Sequence, residues 1–170
     1  RLLQRTAFNE QSPVQVPQVA GGLKDWPGYV MSAKPGDGLA LDGSADGFAL
    51  AGNALGRLHR LPFRTELAHS VADEIQTLMQ WIELVHAMGP LGSAQYAECF
   101  AAVESQLQES PMESVTMVHR DFHMGQLLVS DGKATLLDFD TVCNGEPAQD
   151  IGNFLAHLEW SALMDDHKPD

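Results

Sequence analysis

The sequence predicts an α+β fold: a mainly helical body that carries one β-hairpin and is preceded by a small pair of strands. Three observations predict it. Apolar residues recur at spacings of three and four over long stretches between Ser44 and Gln108, and again after Asp150. Ser130-Asp131-Gly132-Lys133 separates two β-rich runs, and Asp-Gly is a strong hairpin signal because both residues accept positive φ. Near the start, Val14, Val16 and Val19 alternate beside Pro13 and Pro17, which enforce extended backbone.

Each element follows in turn. Leu2, Leu3 and Phe8 suit the end of a helix, and Val14 to Val19 suits a short strand. Gly21, Gly22, Pro27 and Gly28 make a turn, Tyr29–Ala33 a second strand, and Lys34–Gly38 a linker. These glycines form neither GxGxxG nor a P-loop, so they read as turns. Phe48, Ala51, Leu55, Leu58 and Leu61 form one helical face, with Asp46 as its N-cap and Pro62 as its stop. His59 on that helix reads as a structural histidine bonded at the edge of the core. A second helix begins near Thr65, with Leu67, Val71, Ile75, Leu78, Ile82 and Val85 on its face, and Gly89-Pro90 ends it. A third runs from Ser93 to Gln108, and the methionines and aromatics of these faces read as core. Ser114–Val118 is a short strand. A last helix carries Ile151, Phe154, Leu155 and Leu158, with Asp150 or Asn144 capping it, and residues 165–170 have no clear structure.

Composition bounds the chemistry. The chain has 170 residues, 44% hydrophobic and 19% charged, which suits one globular domain. A net charge of −13 argues against a nucleic-acid partner and fits a neutral or cationic one. Cys99 and Cys143 make neither a disulfide framework nor a zinc site. No apolar run spans a bilayer and no signal-peptide pattern opens the chain, so the expected setting is cytoplasmic, with no membrane partner. Because residue 1 is Arg and not Met, a fragment is expected.

The chemistry concentrates between Val118 and Asp150. His119-Arg120-Asp121-Phe122-His123-Met124-Gly125-Gln126 and Leu137-Asp138-Phe139-Asp140 stand on either side of the hairpin. A turn centred on Asp131 and Gly132 sets Gln126 opposite Leu137 and beside Asp138, which gathers a carboxylate and an amide at one edge. Such a set suits a cation and a phosphate. His119 and His123 are four apart, but the HExxH glutamate is absent and Phe122 with Gly125 argues against a helix, which disfavours zinc.

The pattern resembles H-R-D-x-x-x-x-N followed by D-F-G of the protein kinases, with Gln126 at the amide position and no glycine after Phe139. It is more similar to the aminoglycoside phosphotransferase and choline kinase-like family, whose pattern is close to H-G-D-x-H-x-x-N, a hairpin, I-D-[WF]-[ED], and G-[DE]-P-x-x-D. Here these are His119, Asp121, His123 and Gln126, then Leu137–Asp140, then Gly145-Glu146-Pro147-Ala148-Gln149-Asp150. Met31–Gly36 resembles the family hinge, and Leu58-His59 its L-H helix.

The resemblance implies a protein kinase-like fold. Residues 1–38 would be the end of the N-terminal lobe and the hinge. Residues 39–170 would be the helical C-terminal lobe with the catalytic and metal-binding loops, truncated at its end. It implies ATP and Mg2+ as cofactors and transfer of the γ-phosphoryl group to a hydroxyl of a small molecule: an aminoglycoside, an amino alcohol or a sugar. Asp121 would orient the hydroxyl and take its proton, and His123 would contact the phosphate or brace the loop. Gln126 and Asp138 would hold magnesium. Backbone groups of Ser32 and Lys34 would meet the adenine. Asp150 and His119 would brace the catalytic loop, and Asp140 would approach a metal or pair with a base.

Two departures stand out. Gln126 is one methylene longer than Asn, and the family's glycine-rich loop, strand lysine and acidic helix residue are absent. The isolated chain is therefore expected to be nearly inactive. The alternative function is a non-catalytic kinase-like binding or regulatory protein; a protein kinase is a weaker third. The acceptor and the oligomeric state are not legible.

Overall fold

A computed structural model of the chain describes residues 3, 8–9, 11–25, 27–39, 45–62, 64–89, 93–109 and 114–166. Its elements are β1 (Val14–Gln15), β2 (Val19–Gly22), β3 (Tyr29–Met31), β4 (Asp37–Gly38), α1 (Ala45–His59), α2 (Val71–Met88) and α3 (Ser93–Glu109). There follow β5 (Thr116–Val118), a 3-10 turn (Met124–Gln126), β6 (Leu127–Ser130), β7 (Lys133–Leu136), β8 (Cys143–Gly145) and α4 (Pro147–Asp166).

The expected hairpin is β6–β7. Its pairs run from Ser130↔Lys133 to Leu127↔Leu136. Asp131 and Gly132 take φ of 51° and 70°, the paired positive values that a two-residue turn needs to match strand twist. β1 lies parallel to β7, and β4 antiparallel to β6, which gives the sheet order β1-β7-β6-β4. β2 and β3 form a separate antiparallel pair, as do β5 and β8. Buried Val14, Leu127, Ala134 and Leu136 of the sheet join Ala51, Ala54, Leu55 and Leu58 of α1, with Leu61, Met117 and Phe122, in one core.

Several expectations are corrected. The alternating valines are two strands, because β1 pairs with β7 while β2 pairs with β3: Val14 and Val16 are buried and Val19 is exposed. The linker Lys34–Gly38 contributes β4 to the main sheet. Asp46 stands inside the first turn of α1, where its charge still complements the helix N-terminus. Helix α2 starts at Val71, not near Thr65. Ser70 and Asp73 form a reciprocal capping box there. The preceding backbone is taken by Asn144, whose Oδ1 accepts from the Thr65 amide and whose Nδ2 donates to the carbonyls of Thr65 and Leu67. Leu67 consequently leaves the helical face and is exposed. Asn144 is thus a side-chain clamp within β8 and caps no helix.

Helices α2 and α3 pack on each other, yet no α2 residue is buried. Met79, Trp81, Leu84 and Met88 face outward, so these side chains are not core. In α4, Pro147 takes the first turn, where its missing N–H costs nothing. Phe154 and Leu158 pack against the core, while Ile151, Leu155, Trp160, Leu163 and Met164 are exposed. Asp165 and Asp166 extend this helix; the tail after them, Leu2 of the expected helix end, and Pro90 lie outside the described residues. Cys99 is exposed on α3; Cys143 is buried in β8, and that burial pushes its thiol pKa up. No helix among the described residues is long and apolar enough to cross a membrane.

Candidate active site

Two loops meet at one edge of the hairpin: residues 119–126 between β5 and β6, and residues 137–142 between β7 and β8. The register expected from the turn brings them together, for the Leu137 amide donates to the Gln126 carbonyl at 2.9 Å. His119, fully buried, adds a second tie by donating from Nε2 to the Leu137 carbonyl (2.8 Å). Thr141 Oγ1 donates to the His119 carbonyl (2.7 Å), and Phe122 and Phe139 pack around the imidazole.

Asp150 is the clamp of this region. It is fully buried at the start of α4, and its carboxylate accepts from the His119 amide (2.9 Å), the Arg120 amide (2.7 Å) and His59 Nε2 (2.8 Å). The expected structural roles of His59 and Asp150 are visible in these bonds, and Asp150 therefore binds the loop and not its own helix. The clamp holds backbone that would not form alone. Arg120 sits at φ 67° and Asp138 at φ 50°. Left-handed conformations of non-glycine residues cost of order 1 kcal/mol and persist where surrounding bonds over-determine them.

This scaffold presents the candidate residues. Asp121 is half-exposed, and its Oδ2 accepts from Gln126 Nε2 at 2.8 Å. A carboxylate cannot donate, so the amide nitrogen must face it and Gln126 Oε1 is turned away. His123 Nε2 lies 3.8 Å from the same Oδ2. His123 Nδ1 accepts from the Gly125 amide (3.1 Å) and so caps the 3-10 turn. Its ring stacks on His157 of α4, with centroids 4.4 Å apart and planes at 18°. Burial, then the neighbouring His157, pushes the His123 pKa down. Asp138 is exposed, and its Oδ1 accepts from the Asp140 amide (3.3 Å). Asp140 Oδ1 accepts from the Tyr29 hydroxyl (3.2 Å), and the Asp140 charge holds the Tyr29 pKa above its usual value.

Tyr29 and Asp138 also line a cleft of about 160 Å³ with Val16, Val19, Met31 and Phe139. Ser32 follows Met31; its amide donates to the Gln18 carbonyl (2.8 Å) and its Oγ accepts from the Gln18 amide (2.9 Å). Lys34 Nζ donates to Gln15 Oε1 (3.3 Å). Ser32 thus stands on the β2–β3 side and Lys34 reaches β1, while Asp121, His123 and Gln126 cluster in one loop, with Asp138 on the loop tied to it. Sequence reasoning missed Tyr29 and His157. Tyr29 carried no signal beyond closeness to the hinge-like segment. His157 was findable, since it falls three residues after Phe154 and so shares its inward face.

Among the described residues no three His, Cys, Asp or Glu side chains converge as a metal cage. The available donors are the Asp138 carboxylate and the Gln126 amide oxygen. Both are hard oxygen ligands, and magnesium is commonly held by one or two such groups together with phosphate oxygens. The donor set fits that ion.

Solved structures share this fold. A choline/ethanolamine kinase family protein from Mesorhizobium loti is 16% identical, with a TM-score of 0.67 over 85% of this chain and 51% of that one. An ethanolamine kinase from Plasmodium vivax is 15% identical, with a TM-score of 0.66 over 99% and 51%. A thermostable mutant of an aminoglycoside phosphotransferase, in ternary complex with ADP and hygromycin B, is 16% identical, with a TM-score of 0.64 over 98% and 64%. The fold is therefore protein kinase-like, and the chain spans about half the length of the two kinases. No curated protein matches the sequence. The model of the phosphotransferase enzyme family matches residues 1–167, nearly the whole chain including every residue of the two loops, and the chain belongs to that family.

Proposed function

We propose that this chain carries the catalytic and metal-binding loops of an ATP-dependent phosphotransferase that moves a γ-phosphoryl group to the hydroxyl of a small molecule. One observation carries the reading: the hairpin register and the Asp150 clamp hold Asp121, His123, Gln126 and Asp138 at one edge, beside a cleft walled by Val16, Val19 and Tyr29. ADP and hygromycin B in the aminoglycoside phosphotransferase complex support nucleotide use and a hydroxylated acceptor.

In this reading the cleft takes the adenine. Its polar edge meets the Ser32 carbonyl and the Lys34 backbone, because the Ser32 amide is already bonded to Gln18. Asp121 accepts the proton of the attacking hydroxyl. The acceptor oxygen forms a bond to the γ-phosphorus, the bond from that phosphorus to the β–γ bridging oxygen breaks, and ADP leaves. His123 offers an N–H to the phosphoryl oxygens. Gln126 and Asp138 would hold Mg2+, which when bound offsets phosphate charge. The acidic balance of −13 favours a cationic acceptor such as an aminoglycoside or amino alcohol.

The test, made on the full-length gene product because the isolated chain is expected to be nearly inactive, is transfer of label from γ-labelled ATP to a panel of aminoglycosides, amino alcohols and sugars. Asp121→Ala should lower turnover by about a thousandfold while nucleotide binding stays within about threefold. Near-normal turnover in that variant refutes the assigned base. The bond from Gln126 to Asp121 favours a second reading, a non-catalytic kinase-like binding protein whose carboxylate is permanently engaged. Nucleotide binding without transfer to any acceptor would select it.

A further inference from the structure

His157 has no part in the chemistry above, yet its ring lies flat against His123 from a different element. Two contacts from different elements fix the His123 ring, and a third feature, the missing Cβ of Gly125, makes room for it. The Gly125 amide donates to Nδ1, so Nδ1 is unprotonated and a neutral ring carries its proton on Nε2. Gly125 leaves room for this: a Cβ there would stand 2.8 Å from His123 Cε1, and that ring is held between the turn and α4. The other contact is His157, stacked at 4.4 Å on the ring face. Held so, Nε2 lies 3.8 Å from Asp121 Oδ2, too long for a direct bond, so its proton is not taken up by that carboxylate.

From this geometry we infer that His157 is a positioning residue: its imidazole holds the His123 ring against the Gly125 amide, with the Nε2 proton presented beside Asp121. The groups around His123 are Asp121 and His119 from its own loop, Asp138 from the loop after β7, and His157 from α4. The carboxylates favour a charged ring. Burial and the adjoining imidazole oppose them, and the Gly125 bond is lost if Nδ1 gains a proton.

The inference rests on the phosphotransferase reading only for its consequence in turnover, and the experiment separates the two. Long-range proton–nitrogen correlation spectra of the purified protein report which ring nitrogen carries the proton. Wild type should show His123 as the Nε2–H form at neutral pH. His157→Ala should mix the tautomers and lower kcat about tenfold, with KM for ATP within about threefold. His157→Phe keeps a flat partner, so it should restore the tautomer and most of the turnover lost in the alanine variant. Gly125→Ala, which pushes the ring from the other side, should reproduce the tautomer mixing. An unchanged His123 spectrum in both His157→Ala and Gly125→Ala overturns the positioning role whatever the activity. A spectrum that responds as expected in a full-length gene product that transfers no phosphate supports the positioning role and refutes the phosphotransferase reading.

Discussion

At the scale of single residues, Asp150 and His123 give the sharpest tests. Asp150→Ala leaves the buried amide of His119 and the half-buried amide of Arg120 without an acceptor. An unsatisfied buried donor costs about 1–3 kcal/mol, so the variant should lose about 3 kcal/mol, seen as a lower urea midpoint. Asp150→Asn keeps one oxygen and should lose about half of that. For His123 the sign is fixed by its lowered pKa. The unfolded chain binds the proton more readily, so the stabilisation is full above the ordinary histidine value of about 6.5 and is lost as pH falls below it. Wild type should therefore lose more stability than His123→Gln when unfolding is compared at about pH 7.5 and about pH 5. Both residues were legible in the sequence as types at fixed spacing. Their partners were less so, because Asp150 meets His59 across 91 positions, and no local pattern encodes a contact of that range.

At the scale of elements, local signals served where the local chemistry decides. The Asp131-Gly132 turn set the hairpin register, and that register placed Gln126 against Leu137 as expected. Gly132→Ala should destabilise the protein by about 1 kcal/mol, measured by denaturant unfolding, since φ of 70° is strained for any residue with a Cβ. The start of α2 was misjudged by six residues because apolar spacing continued back through Leu67. What overrode it was a distant side chain, Asn144, which binds the Thr65 and Leu67 backbone and leaves Ser70 to open the helix. Ser70→Ala should accordingly lower stability by about 1 kcal/mol. The valine alternation failed for a similar reason, since two sheets compete for one extended segment.

At the scale of the whole molecule, the helical periodicity of α2 and α4 was read correctly and its meaning was not. Periodicity says that a face is apolar; it does not say what the face meets. Trp81, Leu84 and Met88 on α2 and Trp160, Leu163 and Met164 on α4 are exposed. Large apolar side chains left exposed to water favour association. The 170-residue chain should therefore sediment faster as concentration rises, and Trp81→Glu combined with Trp160→Glu should reduce that dependence. The buried thiol of Cys143 makes the same molecule a gauge of its own opening. Val118 pairs with Cys143 immediately before the His119–Gln126 loop, and a thiol must reach solvent and ionise before a disulfide reagent can capture it. Cys99, exposed on α3, would be consumed first and mark time zero. The slower capture of Cys143 then clocks how often the strand pair beneath the His119–Gln126 loop breathes, without any ligand, substrate or assay of turnover.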